Sequence, residues 1–395
     1  MTTTGSASSI VSPLHDIAPA GRLVSVDVLR GLTIAFMILV NNNGNEAAAY
    51  WPLKHSAWNG CTPTDLVFPT FLFLVGITTV FSTASRLAKG ATKQSLFLHV
   101  LRRSIILYLL GLVVNSFPYF HLHTMRFYGV LPRIAICYLI TASLYLISPG
   151  WRSKVVLAVA ALVGYWILMR YVPVPGYGIP GRDVPLLDHD ANLTAWLDRQ
   201  IFSASHLYEY TRDPEGLIST IPAIATTLFG LLTGIWLRTQ RTLSAKVVGI
   251  AIAGLSGVLL GGLWNLSFPI NKKLWTSSYV LFAGGISLLL LALCLLIVDL
   301  RKAGSTKRSD SLLDTPFLVF GTNAISAYVF SELLQSTFSA IHPSQGLNLQ
   351  QTLYQFILHI ASNPAFASLL YSLGFVGVCW LFVSVLYRHR IFVRV

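Results

Sequence analysis

Between Asn41 and Phe73 the chain reads NNNGNEAAAYWPLKHSAWNGCTPTDLVFPTFLF, and only here do a histidine, an asparagine cluster and an aspartate fall close together. The imidazole of His55 can take a proton from an amine or hydroxyl nucleophile, or become acylated itself. A carboxylate such as Asp65 can orient that ring, and the amide of Asn41 can donate to a developing oxyanion. Taken singly, each residue also has an ordinary reading. His55 could be a loop histidine, and Asp65, between Thr62-Pro63-Thr64 and an apolar run, could cap the helix that follows.

Other polar residues raise the same choice. Asp27 and Arg30, three apart in SVDVLRG, read as an ion pair on one helical face or as a contact for a phosphate-bearing ligand. Asp213, Pro214 and Glu215 either start a helix or turn Glu215 toward the site. Asn271, Lys272 and Trp275, in FPINKKLWTSSYVL, either anchor a membrane interface or line the site. Asn323 and Glu332 sit inside an apolar segment, where a carboxylate implies function or helix-to-helix hydrogen bonding. His121 and His123 have metal-like spacing but no third ligand, so no metal is expected, and the four cysteines form no CxxC pair.

The elements that must hold these groups are membrane spans. Hydrophobic residues make up 54% of the chain and charged residues 11%, against about 25% charged in a soluble domain. Apolar runs of about 20 residues, enough to cross hydrocarbon, recur at roughly 24–41, 66–85, 97–115, 128–148, 154–171, 218–237, 247–266, 276–299, 316–338 and 366–387. An all-α polytopic bundle of about 10–11 transmembrane helices is expected, the amphipathic segment 351–361 being too short to cross. The glycines of GLSGVLLGG read as close helix packing rather than a nucleotide loop.

The net charge of +13 reads as topology-setting charge and not as a nucleic-acid surface. Basic residues gather at one set of helix ends: Arg22, Arg86, Lys89, Lys93, Arg102, Arg103, Arg152, Lys154, Arg238, Arg241, Lys246, Arg301, Lys302, Lys307, Arg308, Arg388, Arg390 and Arg394. Both termini are therefore expected in the cytoplasm, with residues 1–20 a disordered tail lacking a cleavable signal peptide. The loops 42–65, 116–127, 172–217, 267–275 and 339–365 then share the outer face, with 172–217 long enough to fold as a cap.

The strings SVDVLRGLTIAFMILVNN, KHSAWNGCTPTDLVFPTFLFLVG, DPEGLISTIPAI, FPINKKLWTSSYVL and GTNAISAYV, in order and at compatible spacing, resemble the heparan-α-glucosaminide N-acetyltransferase family. The resemblance implies a membrane acyltransferase domain over residues 21–395 that delivers acetyl groups from cytosolic acetyl-CoA to an amino sugar or glycan across the bilayer. It places the active-site histidine of H-x-x-W-N-G on His55 and the active-site asparagine on Asn41, with Asn42 and Asn43 left open by the inserted NEAAA. Asp65 completes the catalytic set. Trp58, Asn59, Glu215, Asn271, Lys272 and Trp275 are then expected on the acceptor side, and Arg30, Asp27 and Asn323 on the donor side. Without the large lumenal domain of the animal lysosomal enzyme, a bacterial inner (plasma) membrane protein is expected. A homodimer is left open. A transporter or flippase for a glycan or lipid-linked intermediate is the rival reading, separated by whether acetyl-CoA binds saturably.

Overall fold

A computed structural model describes residues 23–300, 314–343 and 346–393. Backbone polar groups in hydrocarbon have no water to bond, so long apolar runs close their hydrogen bonds internally as helices. The chain forms α1 (Val24–Asn41), α2 (Val67–Ala88), α3 (Lys93–Ser116), α4 (Val130–Ile147), α5 (Trp151–Tyr171), α6 (Leu193–Ile201) and α7 (Thr220–Leu237). It continues as α8 (Leu243–Trp264), α9 (Ser277–Cys294), α10 (Asp314–Thr322), α11 (Ala324–Ala340), α12 (Leu349–Ala361) and α13 (Pro364–Arg388). Among the described residues nine helices are long and apolar enough to cross a membrane, and α10 with α11 makes a tenth if the bent pair is one span. The architecture is a polytopic helical membrane bundle.

The ten expected spans are all helical, with ends shifted by a few residues. The ninth differs in shape, because α10 and α11 meet at 89°. Asn323 occupies the break, where its amide donates to Ile391 O at 3.1 Å and accepts from Val393 N at 3.1 Å. The tail after α13 is thus tied by its backbone to the Asn323 side chain at the break. Of the basic residues counted above, Arg22, Arg301, Lys302, Lys307, Arg308 and Arg394 lie outside the described residues, as does the 1–20 segment.

The most apolar stretches of α2 and α7 are 72% and 67% buried, against 17% for α8. Hence α2 and α7 form the interior, while α8 turns Leu255, Leu259 and Leu263 outward toward what must be lipid. Small residues let backbones meet where helices cross. A Cβ on Gly31 would come within 1.7 Å of Phe317 O, and one on Gly321 within 2.0 Å of Asp27 O, so α1 and α10 touch main chain to main chain. Gly254, Gly257 and Gly261 likewise bring α8 onto α9, a packing role for that glycine run.

Loops at one end of the bundle hold each other. Gly60 N donates to Ile270 O, Trp58 Nε1 to Leu187 O, Arg126 to Asp213, and Gln350 Nε2 to Asn43 O. The loops after α1, α3, α5, α8 and α11 therefore share one end, and that end carries His55.

Candidate active site

A short 3-10 turn, Pro63–Leu66, leads into α2 and fixes Asp65. One carboxylate oxygen of Asp65 accepts from Thr62 N at 2.9 Å, Thr62 Oγ1 at 3.0 Å and Ser56 N at 3.1 Å. The Thr62 contact is the reach-back half of a capping box. The other oxygen lies 2.7 Å from His55 Nδ1. Asp65 thus both starts the helix and orients the imidazole.

With three donors already on the carboxylate, it meets His55 as an acceptor, so Nδ1 carries the proton. Nε2 keeps its lone pair, and among the described residues it has no hydrogen-bond partner. The ring is about one-third exposed, while the Asp65 side chain is wholly buried.

Lys272 approaches the same ring, with Nζ 3.5 Å from His55 Nδ1. Because Nδ1 donates to Asp65, this is a close charge rather than a hydrogen bond. The loop carrying Lys272 is tied down by hydrogen bonds of its neighbour Asn271. Asn271 Nδ2 donates to Asn59 Oδ1 at 3.2 Å, and Asn271 Oδ1 accepts from Leu274 N at 2.9 Å. Burial pushes the Lys272 ammonium below its ordinary range, against the pull of Glu215 and Asp65. Trp275 is fully buried, edge-on to Phe68 and Tyr279, with Nε1 on Thr226 Oγ1 at 3.2 Å. It is a wedge inside the bundle, not an interfacial anchor.

Glu215 closes the cluster. Arg126 bonds Glu215 and holds Asp213 at 2.6 and 2.7 Å. Burial alone would raise the Glu215 carboxyl, but Arg126, Arg133 and Lys272 together hold it below its usual range. Arg133, on α4 and 1% exposed, donates to Gly216 O and Ser219 Oγ and lies 5.1 Å from the Trp275 ring. Trp58 packs into the 172–217 segment, stacked on His189 at 3.9 Å beneath Arg212 at 5.0 Å.

The three asparagines part company. Asn42 Nδ2 is spent on Ile38 O, and Asn43 Nδ2 on Val40 O and Leu53 O. Both are buried, whereas Asn41 is exposed. Arg30 Nη1 lies 2.9 Å from Asp27 and 3.1 Å from Gly321 O, at the opposite end of α1 from Asn41. An apolar groove of about 500 Å³ between α7, α8 and α9 shares no residue with this cluster.

Residues 22–268 match the family model for heparan-alpha-glucosaminide N-acetyltransferase, catalytic. The chain belongs to this family. It is 30% identical over 370 residues to a heparan-alpha-glucosaminide N-acetyltransferase of Mus musculus, covering 81% of this chain and 54% of that protein. It is 29% identical over 369 residues to the Homo sapiens protein of the same name, covering 80% of this chain and 54% of the relative. The chain thus spans about half the length of the curated relatives it matches. The heparan-alpha-glucosaminide N-acetyltransferase match takes in His55, Asp65, Arg133 and Glu215 and ends just before Asn271 and Lys272.

Sequence reasoning missed Arg126 and Arg133. Arg133 lies inside an apolar span, and the rule that singles out Glu332 as an ionisable intramembrane group applies to it equally. Arg126 stands in an otherwise uncharged stretch of loop beside two histidines, and pairing with Asp213 and Glu215 needs a contact across roughly ninety positions that spacing does not reveal.

Proposed function

We propose that the chain is a membrane N-acetyltransferase that moves an acetyl group from cytosolic acetyl-CoA to an amino sugar or glycan on the extracytoplasmic side. The observation that carries this reading is His55 held by Asp65 through Nδ1 at 2.7 Å, with Nε2 left as the basic nitrogen. In direct transfer Nε2 takes a proton from the acceptor amine as its nitrogen attacks the thioester carbonyl. The C–S bond then breaks, and His55 returns the proton to the departing thiolate. In the covalent route Nε2 attacks the carbonyl itself, the C–S bond breaks and the thiolate leaves with a proton from solvent, and the amine then takes the acetyl group from the imidazole and releases a proton in turn.

Asn41 Nδ2 would donate to the oxygen that gains negative charge in either route. Glu215 and Lys272 would face the acceptor, with Asn59 and Asn271 fixing the loop that presents Lys272 and Trp58 and Trp275 bracing it. Arg30 beside Asp27 is suited to a phosphate-bearing donor, while Asn323, both ends of its amide engaged by the tail, would hold the break behind them.

Purified protein incubated with radiolabelled acetyl-CoA separates the two routes. Label on His55 identifies the covalent one, and none identifies direct transfer. His55→Ala should bind acetyl-CoA and fail to transfer under both. Full transfer in that variant would sink the assignment.

A further inference from the structure

The ammonium of Lys272 stands beside the His55 ring without an anion of its own. Other cations around it are paired: Lys273 Nζ with Glu209 Oε1 at 2.8 Å, Arg212 with Asp190 at 3.0 Å and Arg126 with Asp213 at 2.6 Å. Lys272 makes no salt bridge among the described residues. The one polar contact of its Nζ there is His55 Nδ1 at 3.5 Å, a nitrogen already engaged by Asp65. The His55 side chain is about one-third exposed and Lys272 is partly exposed, so both can meet what binds between them.

The chain accepts strain to hold Lys272 in place. Trp275 has φ +53°, in the left-handed region where a bulky side chain is unfavourable and persists only if its surroundings dictate it. That conformation closes a turn in which Trp275 N donates to Lys272 O and Thr276 N to Asn271 O, both at 3.1 Å, and Asn271 N to Thr276 Oγ1 at 3.0 Å. Two bonds fasten the turn to the His55 loop, Gly60 N on Ile270 O at 2.8 Å and Asn271 Nδ2 on Asn59 Oδ1 at 3.2 Å. The point where Lys272 leaves the backbone is therefore set relative to His55 before any substrate arrives, as a catalytic group requires.

In both routes His55 gains positive charge, and an ammonium so close opposes that. The same step puts negative charge on the thioester oxygen. A cation that reaches this oxygen turns the opposition into stabilisation of the transition state, supplying charge as well as a hydrogen bond where the neutral amide of Asn41 supplies the bond alone.

We propose that Lys272, beyond lining the acceptor side, is a catalytic residue whose ammonium donates to the thioester carbonyl oxygen as it becomes an oxyanion. This rests on the reading of His55 as base or acetyl carrier. Lys272 keeps its three protons throughout. The charge it faces grows on oxygen as the tetrahedral adduct forms and passes to sulfur as the C–S bond breaks.

The test is kinetic, on the full chain in liposomes, with acetyl-CoA as donor and glucosamine as acceptor. Glucosamine carries no anionic group for a lysine to bind, so a loss of rate reports on the acetyl transfer itself. Lys272→Met should lower kcat about 100- to 1,000-fold, with the KM for either substrate changed only a few-fold, since the interaction is made in the transition state. Lys272→Arg keeps the charge and should stay within about 10-fold of the parent. Lys272→Gln, which keeps N–H donors but no charge, should fall well below the arginine variant and carries the test if the methionine variant does not fold. Lys272→Cys should be slow and regain most of its rate after alkylation with 2-bromoethylamine, which rebuilds an ammonium at that position and would not repair a folding defect. A parental kcat in Lys272→Met, a loss confined to the KM for glucosamine, or equal rates in the glutamine and arginine variants would overturn the proposal. Full transfer by His55→Ala would instead remove the reading on which it stands.

Discussion

The carboxylate of Asp65 serves three backbone or hydroxyl donors and one imidazole at once, and those duties respond differently to a change of one atom. In Asp65→Asn the amide oxygen can keep the bonds from Thr62 and Ser56, so the start of α2 survives. The new NH2 then faces His55 Nδ1 and can only donate, which moves the ring proton to Nε2 and removes the base. A fall in kcat of roughly 100- to 10,000-fold is expected, with folding and acetyl-CoA binding retained. Comparable activity would mean that the imidazole does not work through Nε2. At this scale the sequence was readable where partners are near in the chain, as His55 with Asp65 are. It was silent where they are distant, as with Arg133 and Glu215. It also left three adjacent asparagines equivalent, and only the turn after α1, which aims two of them at backbone carbonyls, tells them apart.

Within the 172–217 segment, α6 carries an aspartate that no substrate role explains. Asp198 is fully buried, one oxygen accepting from Leu217 N at 3.3 Å and the other without a partner among the described residues. Burial pushes its carboxyl up to about 7, with Asp213 adding to the rise. Because the folded value exceeds the unfolded one near 4, its contribution to stability is complete below about pH 4 and is lost as pH rises through about 7. Protection of this segment from proteolysis should therefore weaken between about pH 4 and pH 7 in the parent and level off above that, and Asp198→Asn should flatten that dependence. An unchanged slope in the variant would assign the effect to another group. Helices themselves were plain in the sequence because a run of apolar residues near 20 long admits little else. The break at Asn323 was not, since the ninth run contains no proline there, and the groups that its side chain meets lie some seventy residues away, in the backbone of Ile391 and Val393.

Across the whole molecule, the geometry ties both ends of the described chain to one end of the bundle. Asn323 binds the tail at Ile391, its neighbour Gly321 accepts from Arg30, and Arg30 sits in the first turns of α1. His55 and the 172–217 segment lie at the other end. Basic side chains at Arg86, Lys89, Lys93, Arg241 and Arg390 share the end of the termini, and retention of Lys and Arg on the cytoplasmic side then predicts that His55 faces outward. Single cysteines in place of Lys89, His389 and Tyr177, all exposed, report this directly. With the half-buried Cys294 first replaced by Ser, the remaining native thiols leave a low background, since Cys137 and Cys379 are buried and burial, with Asp65 adding, pushes the half-buried Cys61 up to about 12, where thiolate is scarce near neutral pH. A membrane-impermeant thiol reagent on intact cells should modify Tyr177→Cys at once, and Lys89→Cys and His389→Cys only after permeabilisation. Labelling of His389→Cys alone with Tyr177→Cys would mean that the bent α10 and α11 pair does not cross. Labelling of Lys89→Cys in intact cells would reverse the whole bundle, leaving His55 on the donor's own side and removing any need for the acetyl group to traverse the membrane.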